Sequence, residues 1–248
     1  MKKDKVWVVV PAAGSGRRME SDIPKQYLSL MGETVIELTL SRLQQVHDVT
    51  EITVAISEGD SFFSRLPIFN AGRDVPKITA TRGGRERSDS VLAALQSLEH
   101  KATLSDWVLV HDAARCCIRV EYINAMLEQL KSSAVGGILG VPTSDTVKRV
   151  VKTQVVKKQV GNEYLVEQTL DRSKLWLAQT PQLFRYGLLK EALMSAQHNQ
   201  QTITDEASAI ELMGHSVQMC MGHYDNIKIT HPNDLMIAEA FLKQQAAV

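Results

Sequence analysis

The stretch from Val6 to Met19, VWVVVPAAGSGRRM, joins an apolar run to a loop of small residues and then to paired arginines. Gly14 and Gly16 leave that loop without side chains, so a ligand can reach backbone N–H groups there. Arg17, Arg18 and, past Pro24, Lys25 add positive charge beside those donors. Such a group suits the binding of a polyphosphate; the competing reading is an ordinary strand-to-helix turn with solvated arginines. Neither common phosphate loop is present. A Walker loop requires G-x-x-x-x-G-K-[ST], and the dinucleotide pattern G-x-G-x-x-G begins at Gly14 but meets Met19 where its third glycine belongs. Charged side chains must therefore do much of the binding.

Three further segments carry chemistry-bearing residues. In Gly83-Gly84-Arg85-Glu86-Arg87-Ser88 the glycines permit close approach of a base or sugar, and Ser88 suits a helix cap; a plain capped turn is the alternative. Val110-His111-Asp112-Ala113-Ala114-Arg115 follows an apolar run and puts Asp112 where a carboxylate can meet a metal-bound phosphate, or simply solvent. Asp225-Asn226-Ile227-Lys228-Ile229-Thr230 adds another Asp and a Lys, which taken alone reads as a surface lysine. In an open α/β sheet ligands collect beyond the carboxyl ends of the strands, where all four segments are expected.

The elements that must position them alternate in type. Strand-like runs at Val6 to Val10, Glu51 to Ile56, Lys77 to Thr81, Trp107 to Val110 and Val135 to Val141 are separated by helix-period segments. Thr34 and Glu37 have capping-box spacing ahead of Val35, Ile36, Leu40 and Leu43; further helices are expected from about Asp89 to Leu98 and Val120 to Lys131. This is the pattern of βαβ units, a mostly parallel sheet with helices on both faces. After Pro142 the rhythm breaks. From Thr143 to Thr169 the chain is β-branched and charged, with a plausible turn at Gly161-Asn162, and reads as a hairpin or extended arm. A two-stranded ribbon is marginal in water, so a second subunit is its expected support. Beyond it come a strand at Trp176 to Thr180, a helix near Tyr186 to Gln197 and a helix opening at Thr204. Strands at Ser216 to Met221 and Asn226 to Thr230 follow, then a last helix with Pro232 in its first turn.

The whole chain of 248 residues, 44% hydrophobic, is expected to form one domain, with residues 143–174 as the arm. Its 28 basic and 28 acidic residues cancel, so no overall field draws it to nucleic acid or an acidic membrane. No apolar run approaches the roughly 18 to 20 residues that span a bilayer, and the N-terminal run is too short for a signal peptide. A cytoplasmic protein is expected, in keeping with three cysteines that form no framework. The seven histidines lack zinc-site spacing.

The segments above also occur within a longer series of blocks. PAAGSGRRM, PKQY (Pro24 to Tyr27), RGGRERSDSV (Arg82 to Val91), VHDAAR, DTVKR (Asp145 to Arg149), LDRSKLW (Leu170 to Trp176), TPQLF (Thr180 to Phe184), ITDEAS (Ile203 to Ser208) and DNIKIT run in order along the chain. In this the chain resembles the 2-C-methyl-D-erythritol 4-phosphate cytidylyltransferases of the non-mevalonate isoprenoid pathway. It departs from them at Cys116, where the family usually has proline, and in an arm that looks longer than usual.

The resemblance implies a Rossmann-like fold of the nucleotide-diphospho-sugar transferase type with a protruding β-arm. It implies that Ala12, Ala13, Gly14, Gly16, Gly83, Ser88, Asp112 and Ala113 hold CTP, and that Arg18 and Lys25 face the α-phosphate. Asp112 and Asp225 would lie near Mg2+; Arg172 and Lys228 would position the substrate phosphate; Thr146, Thr180 and Thr204 would contact the polyol. Family members are homodimers whose arms embrace, which would send Thr146 and Arg172 into the partner's site. A phosphate monoester has a second pKa near ~6, so the attacking oxygen needs no general base. Two alternatives remain: a ribitol-5-phosphate cytidylyltransferase with the same fold and reaction, and a noncatalytic nucleotide-binding scaffold, against which the retention of Arg18, Lys25, Arg172 and Lys228 together argues.

Overall fold

A computed structural model describes residues 4–14, 19, 23–70, 75–152 and 164–247. The chain begins with β1 (Val6–Pro11), then a short hairpin of β2 (Ser29–Leu30) and β3 (Glu33–Thr34) that leads into α1 (Val35–Gln44). Next come β4 (Val49–Ile56), β5 (Lys77–Arg82), α2 (Arg87–Ser97), β6 (Trp107–Val110), α3 (Val120–Leu130) and β7 (Gly136–Pro142). The arm strands β8 (Lys148–Lys152) and β9 (Tyr164–Thr169) precede β10 (Trp176–Arg185), α4 (Tyr186–His198), α5 (Glu206–Leu212), β11 (Gln218–Met221) and α6 (Asn233–Ala246).

One seven-stranded sheet, ordered β11-β7-β10-β6-β1-β4-β5, organises these elements. The pairings of β1 with β4 and β6, of β4 with β5 and of β11 with β7 are parallel, whereas β10 runs antiparallel to both β6 and β7. In β1, Val6, Val8 and Val10 pack to one face with Ile36, Leu40 and Ile123, while Trp7 and Val9 pack to the other with Leu95, Leu189 and Ile210. Both faces are covered, so the strand reads as an unbroken apolar run. A third cluster places Leu242 of α6 against Cys116, Cys117 and Ile229.

Local signals read from sequence have their expected partners. The amide of Glu37 donates to Thr34 Oγ1 at 3.3 Å, and the amide of Thr34 donates to Glu37 Oε2 at 3.0 Å, closing the capping box of α1. Four expectations need correction. The strand beginning at Trp176 continues to Arg185, because its second half pairs with both β6 and β7. Asp205, not Thr204, caps α5: its carboxylate accepts the amide of Ser208 at 3.0 Å. Pro232 stands at the N-cap of α6, one position before its first turn. The segment Asn226 to Thr230 is extended but is not a strand. Arg115 donates to the carbonyl of Asn226 at 2.6 Å and Lys25 to that of Ile229 at 2.7 Å, and the amide of Ile229 donates to the carbonyl of Ala114 at 2.9 Å, which does not extend into a strand ladder.

The arm is a separate antiparallel pair in which Lys148 lies opposite Thr169 and both strands are exposed along their length. Val150, Val151, Tyr164, Leu165 and Val166 meet solvent in the single chain. The expected turn at Gly161-Asn162 lies outside the described residues.

Candidate active site

Strand order determines where the site forms. The chain runs outward from β1 through β4 to β5, then returns to place β6 on the other side of β1, so the direction of winding switches between β1 and β6. A crevice opens beyond the carboxyl ends of two such strands. Pro11, Ala12, Ala13 and Gly14 leave β1 into it, and Asp112, Ala113 and Ala114 leave β6 into it; together they line a cavity of about 350 Å³.

Side chains hold the loop after β1 from behind. Gln26, buried in the PKQY block, donates its amide to the carbonyl of Ala12 at 2.7 Å, and Ser57 donates its hydroxyl to the carbonyl of Ala13 at 2.9 Å. Lys25 and Lys228 line the cavity, together with Gly84, Arg85, Arg87 and Ser90 from the turn between β5 and α2. Gly83 stands behind that wall: a Cβ there would come 2.6 Å from Ala13 Cβ and 2.9 Å from Ser90 Oγ. Of the residues expected to hold the nucleotide, Gly83 and Ser88 do not line this cavity, whereas their neighbours Gly84 and Ser90 do. Glu86 is the N-cap of α2, its amide donating to Asp89 Oδ2 at 3.0 Å, so Ser88 is already helical and faces a neighbouring cavity of about 600 Å³ between α2, α4 and the start of α5.

Asp112 is the electrostatic centre. One carboxylate oxygen accepts from Arg87 Nε at 2.9 Å; the other lies 2.9 Å from Lys228 Nζ and 3.5 Å from Arg115 Nε. Burial opposes ionisation of Asp112, but Arg87, Lys228 and Arg115 outweigh it and hold the carboxyl well below the usual carboxylate range. Arg87 also makes a bidentate pair with Glu206 at 2.6 and 3.0 Å, and Glu206 is only 1% exposed. The first residues of α2 and α5 are thereby joined to the end of β6. Three cations against two carboxylates leave this cluster positive, as an anion site requires.

A smaller cavity of about 210 Å³ adjoins the first. Arg87, Asp112 and Lys228 line both; Thr180, Gln182, Thr204 and Asp205 line the smaller one. The pairing of Gln182 with Val110 runs antiparallel, so Thr180 falls opposite Asp112 just past the end of β6. Its hydroxyl oxygen accepts the Asp112 amide at 3.0 Å and lies 3.1 Å from His111 Nδ1. Burial pushes His111 down to about 4, and the ring is neutral at physiological pH.

The structure thus brings Ala12, Ala13, Gly14, Lys25, Asp112, Ala113, Thr180, Thr204 and Lys228 to the two adjoining cavities. Gly16 and Arg18 lie outside the described residues. Thr146 and Arg172 are not brought there: both are exposed on the arm, where Arg172 donates to the carbonyl of Ser144. Asp225 lines neither cavity. Its Oδ2 accepts from Arg119 Nε at 2.8 Å and from Gln245 Nε2 at 2.9 Å, so that oxygen is committed to the start of α3 and to α6, while the buried Oδ1, 2.6 Å from His223 Nδ1, makes no hydrogen bond among the described residues. No cluster of three or more metal-ligating side chains occurs among the described residues. Asp112, which lines both cavities, fits the kind of Mg2+ site that takes one or two carboxylates and completes the shell with substrate phosphates.

Residues 6–244 match the family model described as IspD, 2-C-methyl-D-erythritol 4-phosphate cytidylyltransferase. The chain belongs to this family. It is 44% identical to the enzyme of that name from Hahella chejuensis, over 98% of this chain and 95% of that one. It is 46% identical to the one from Alteromonas mediterranea, over 99% and 96%. A solved structure of the Francisella tularensis cytidylyltransferase matches with a TM-score of 0.77 at 37% identity, covering 96% of this chain and 99% of that one. As a member of the family the chain is a nucleotidyltransferase, with an α/β nucleotidyltransferase fold, and no helix among its described residues is long and apolar enough to cross a membrane.

Proposed function

We propose that the chain joins CTP to 2-C-methyl-D-erythritol 4-phosphate, giving the CDP-alcohol and pyrophosphate. One observation carries the reading. Lys228 and Arg87, both paired with Asp112, line the cavity of about 350 Å³ at the end of β1, suited to a nucleotide, and also the adjoining cavity of about 210 Å³ with its threonines. A reaction between two phosphates needs its cations at such a seam. Family membership supplies the identity of the two substrates; neither the ribitol enzyme nor a noncatalytic scaffold is favoured.

In this mechanism an oxygen of the substrate phosphate attacks the α-phosphorus of CTP in line. The bond from α-phosphorus to the bridging oxygen breaks, and pyrophosphate leaves with that oxygen. A dianion must approach a triphosphate, so fixed positive charge is the main requirement. Lys25, held at 2.7 Å from the carbonyl of Ile229, faces the nucleotide side, while Lys228 serves both sides. Arg18 joins Lys25 in this account. Asp112 would hold Mg2+, which shields triphosphate charge when bound. Thr146 and Arg172 complete the site from a second subunit whose arm crosses over, a reading supported by their not lining either cavity of their own chain and by the exposed apolar residues on the arm.

The test is turnover by purified protein. Four nucleoside triphosphates are offered against methylerythritol phosphate and ribitol phosphate, with pyrophosphate release as the readout. CTP with methylerythritol phosphate is expected to be the fastest pair and to stop in excess chelator. Faster turnover with ribitol phosphate would overturn the acceptor assignment.

A further inference from the structure

His111 is wholly buried, directly precedes Asp112, and has no part in the chemistry described above. Both its ring nitrogens are engaged. Nε2 lies 3.2 Å from the carbonyl oxygen of Arg115, which can only accept, so Nε2 carries the proton and donates. The ring is wholly buried and neither nitrogen faces a carboxylate to pair with a second proton, so only Nε2 carries one and Nδ1 is bare. Thr180 Oγ1, 3.1 Å away, has one proton, and it donates this to Nδ1. That oxygen in turn accepts the amide proton of Asp112 at 3.0 Å. The donors therefore run in one direction, from the Asp112 amide to Thr180, from Thr180 to His111 and from His111 to the Arg115 carbonyl.

From this chain we infer that His111 is a positioning residue that makes Thr180 an acceptor-only group and ties the main chain of Asp112 to β10. Thr180 lines the smaller cavity, and with its proton committed it offers that cavity a lone pair. It receives a hydroxyl of the acceptor substrate and cannot donate to a phosphate oxygen. This rests on the reading that the smaller cavity takes a polyol phosphate. The same chain holds the Asp112 carboxylate between Arg87 and Lys228. A fully satisfied buried network of this kind specifies one arrangement of its members.

Two measurements test it. With 15N-labelled histidine, long-range proton–nitrogen correlation near neutral pH is expected to show His111 with the proton on Nε2, its signal assigned by its loss in His111→Asn. A proton on Nδ1 overturns the inference. The kinetic test compares two substitutions. His111→Asn puts an amide oxygen where Nδ1 stood and still accepts from Thr180, whereas His111→Gln reaches only toward the Arg115 carbonyl. The expected loss in kcat for His111→Gln is about 10²-fold, the cost of a small misplacement at the reacting groups, with KM for CTP changed less than about twofold. His111→Asn and Thr180→Ser, which keep the hydrogen bond between the two side chains, are expected to lose much less, and His111→Gln combined with Thr180→Val is no worse than either alone. Equal losses in the Asn and Gln variants, following their melting temperatures, would mean that His111 merely fills space. Wild-type protein that turns over no polyol phosphate would sink the functional reading, while the tautomer measurement would still decide the role of His111.

Discussion

Lys25 and Lys228 come from opposite ends of the chain to line one cavity. If Lys25 stabilises charge that develops at the α-phosphorus, Lys25→Ala lowers kcat by about 10²–10³, or about 2.7–4 kcal/mol, the usual cost of one such donor. Steady-state kinetics decide the point, since a rise in KM alone would make Lys25 a uniform binder. Arg87 carries a different burden. Arg87→Ala would leave Glu206 buried without its bidentate partner and Asp112 with only Lys228 and Arg115. Breaking a buried pair on one side costs about 3–5 kcal/mol, which urea unfolding would register. Arg87→Ala combined with Glu206→Leu is expected to recover part of that loss; no recovery would mean that the pair is not what holds α5 to α2.

Among the elements, the turn from β5 into α2 is the most closely fitted. The amide of Gly83 donates to the carbonyl of Ile56 at 2.7 Å while its Cα backs onto Ala13. Gly83→Ala forces apart the two loops that wall the nucleotide cavity. Overpacking of this kind costs about 1–3 kcal/mol, and the displaced Ala13 loop should raise KM for CTP more than KM for the polyol phosphate. Melting curves and the two KM values check this; an unchanged KM for CTP would show that the wall yields without disturbing the nucleotide. The segment from Asp225 to Thr230 shows how far an element can depart from its pattern. Ile227 and Ile229 look like strand residues, yet the segment is held by Arg115 on the carbonyl of Asn226 and Lys25 on that of Ile229 and is not a strand. That departure lets Lys228 face the cavity while Asp225 turns toward Arg119 and Gln245.

At the scale of the whole molecule, acid should loosen the fold through His111. Unfolded, the ring takes up a proton near 6.5; folded, it refuses one until about 4. The unfolded state therefore binds more protons in that window, and stability falls as the pH drops from about 6.5 to about 4, by about 3 kcal/mol in all. Thermal melts across this range should fall more steeply for the wild type than for His111→Asn, which has no ring to titrate; parallel curves would assign acid lability to other groups. The second prediction concerns the arm. If Arg172 and Lys25 of one site come from different chains, then mixing inactive Lys25→Ala with inactive Arg172→Ala makes about half the dimers mixed, each with one intact site. Roughly a quarter of wild-type activity should return for a two-fold pair. No recovery after proven subunit exchange would mean that each chain builds its own site.

What was legible in the sequence is what depends on neighbours along the chain. The apolar run of β1 shows burial on both faces, Thr34 and Glu37 show a helix start, and the turn glycines and motif blocks show where a nucleotide could lie. What only the tertiary structure decided turns on direction. A helix rotates about 100° per residue, so Ser88 and Ser90, two positions apart, face different cavities, and no spacing rule says which meets the nucleotide. Arg87 stands out from Arg85 because Asp112 and Glu206, 25 and 119 residues away, converge on it. Gln26 and His111 sit inside the PKQY and VHDAAR blocks, but nothing in those blocks tells their roles, which lie in hydrogen bonds to another loop's backbone and to a strand that runs against its neighbours. Local signals report the elements; the return of β10 between β6 and β7 determines which side chains meet, because contact at that distance along the chain is made by packing.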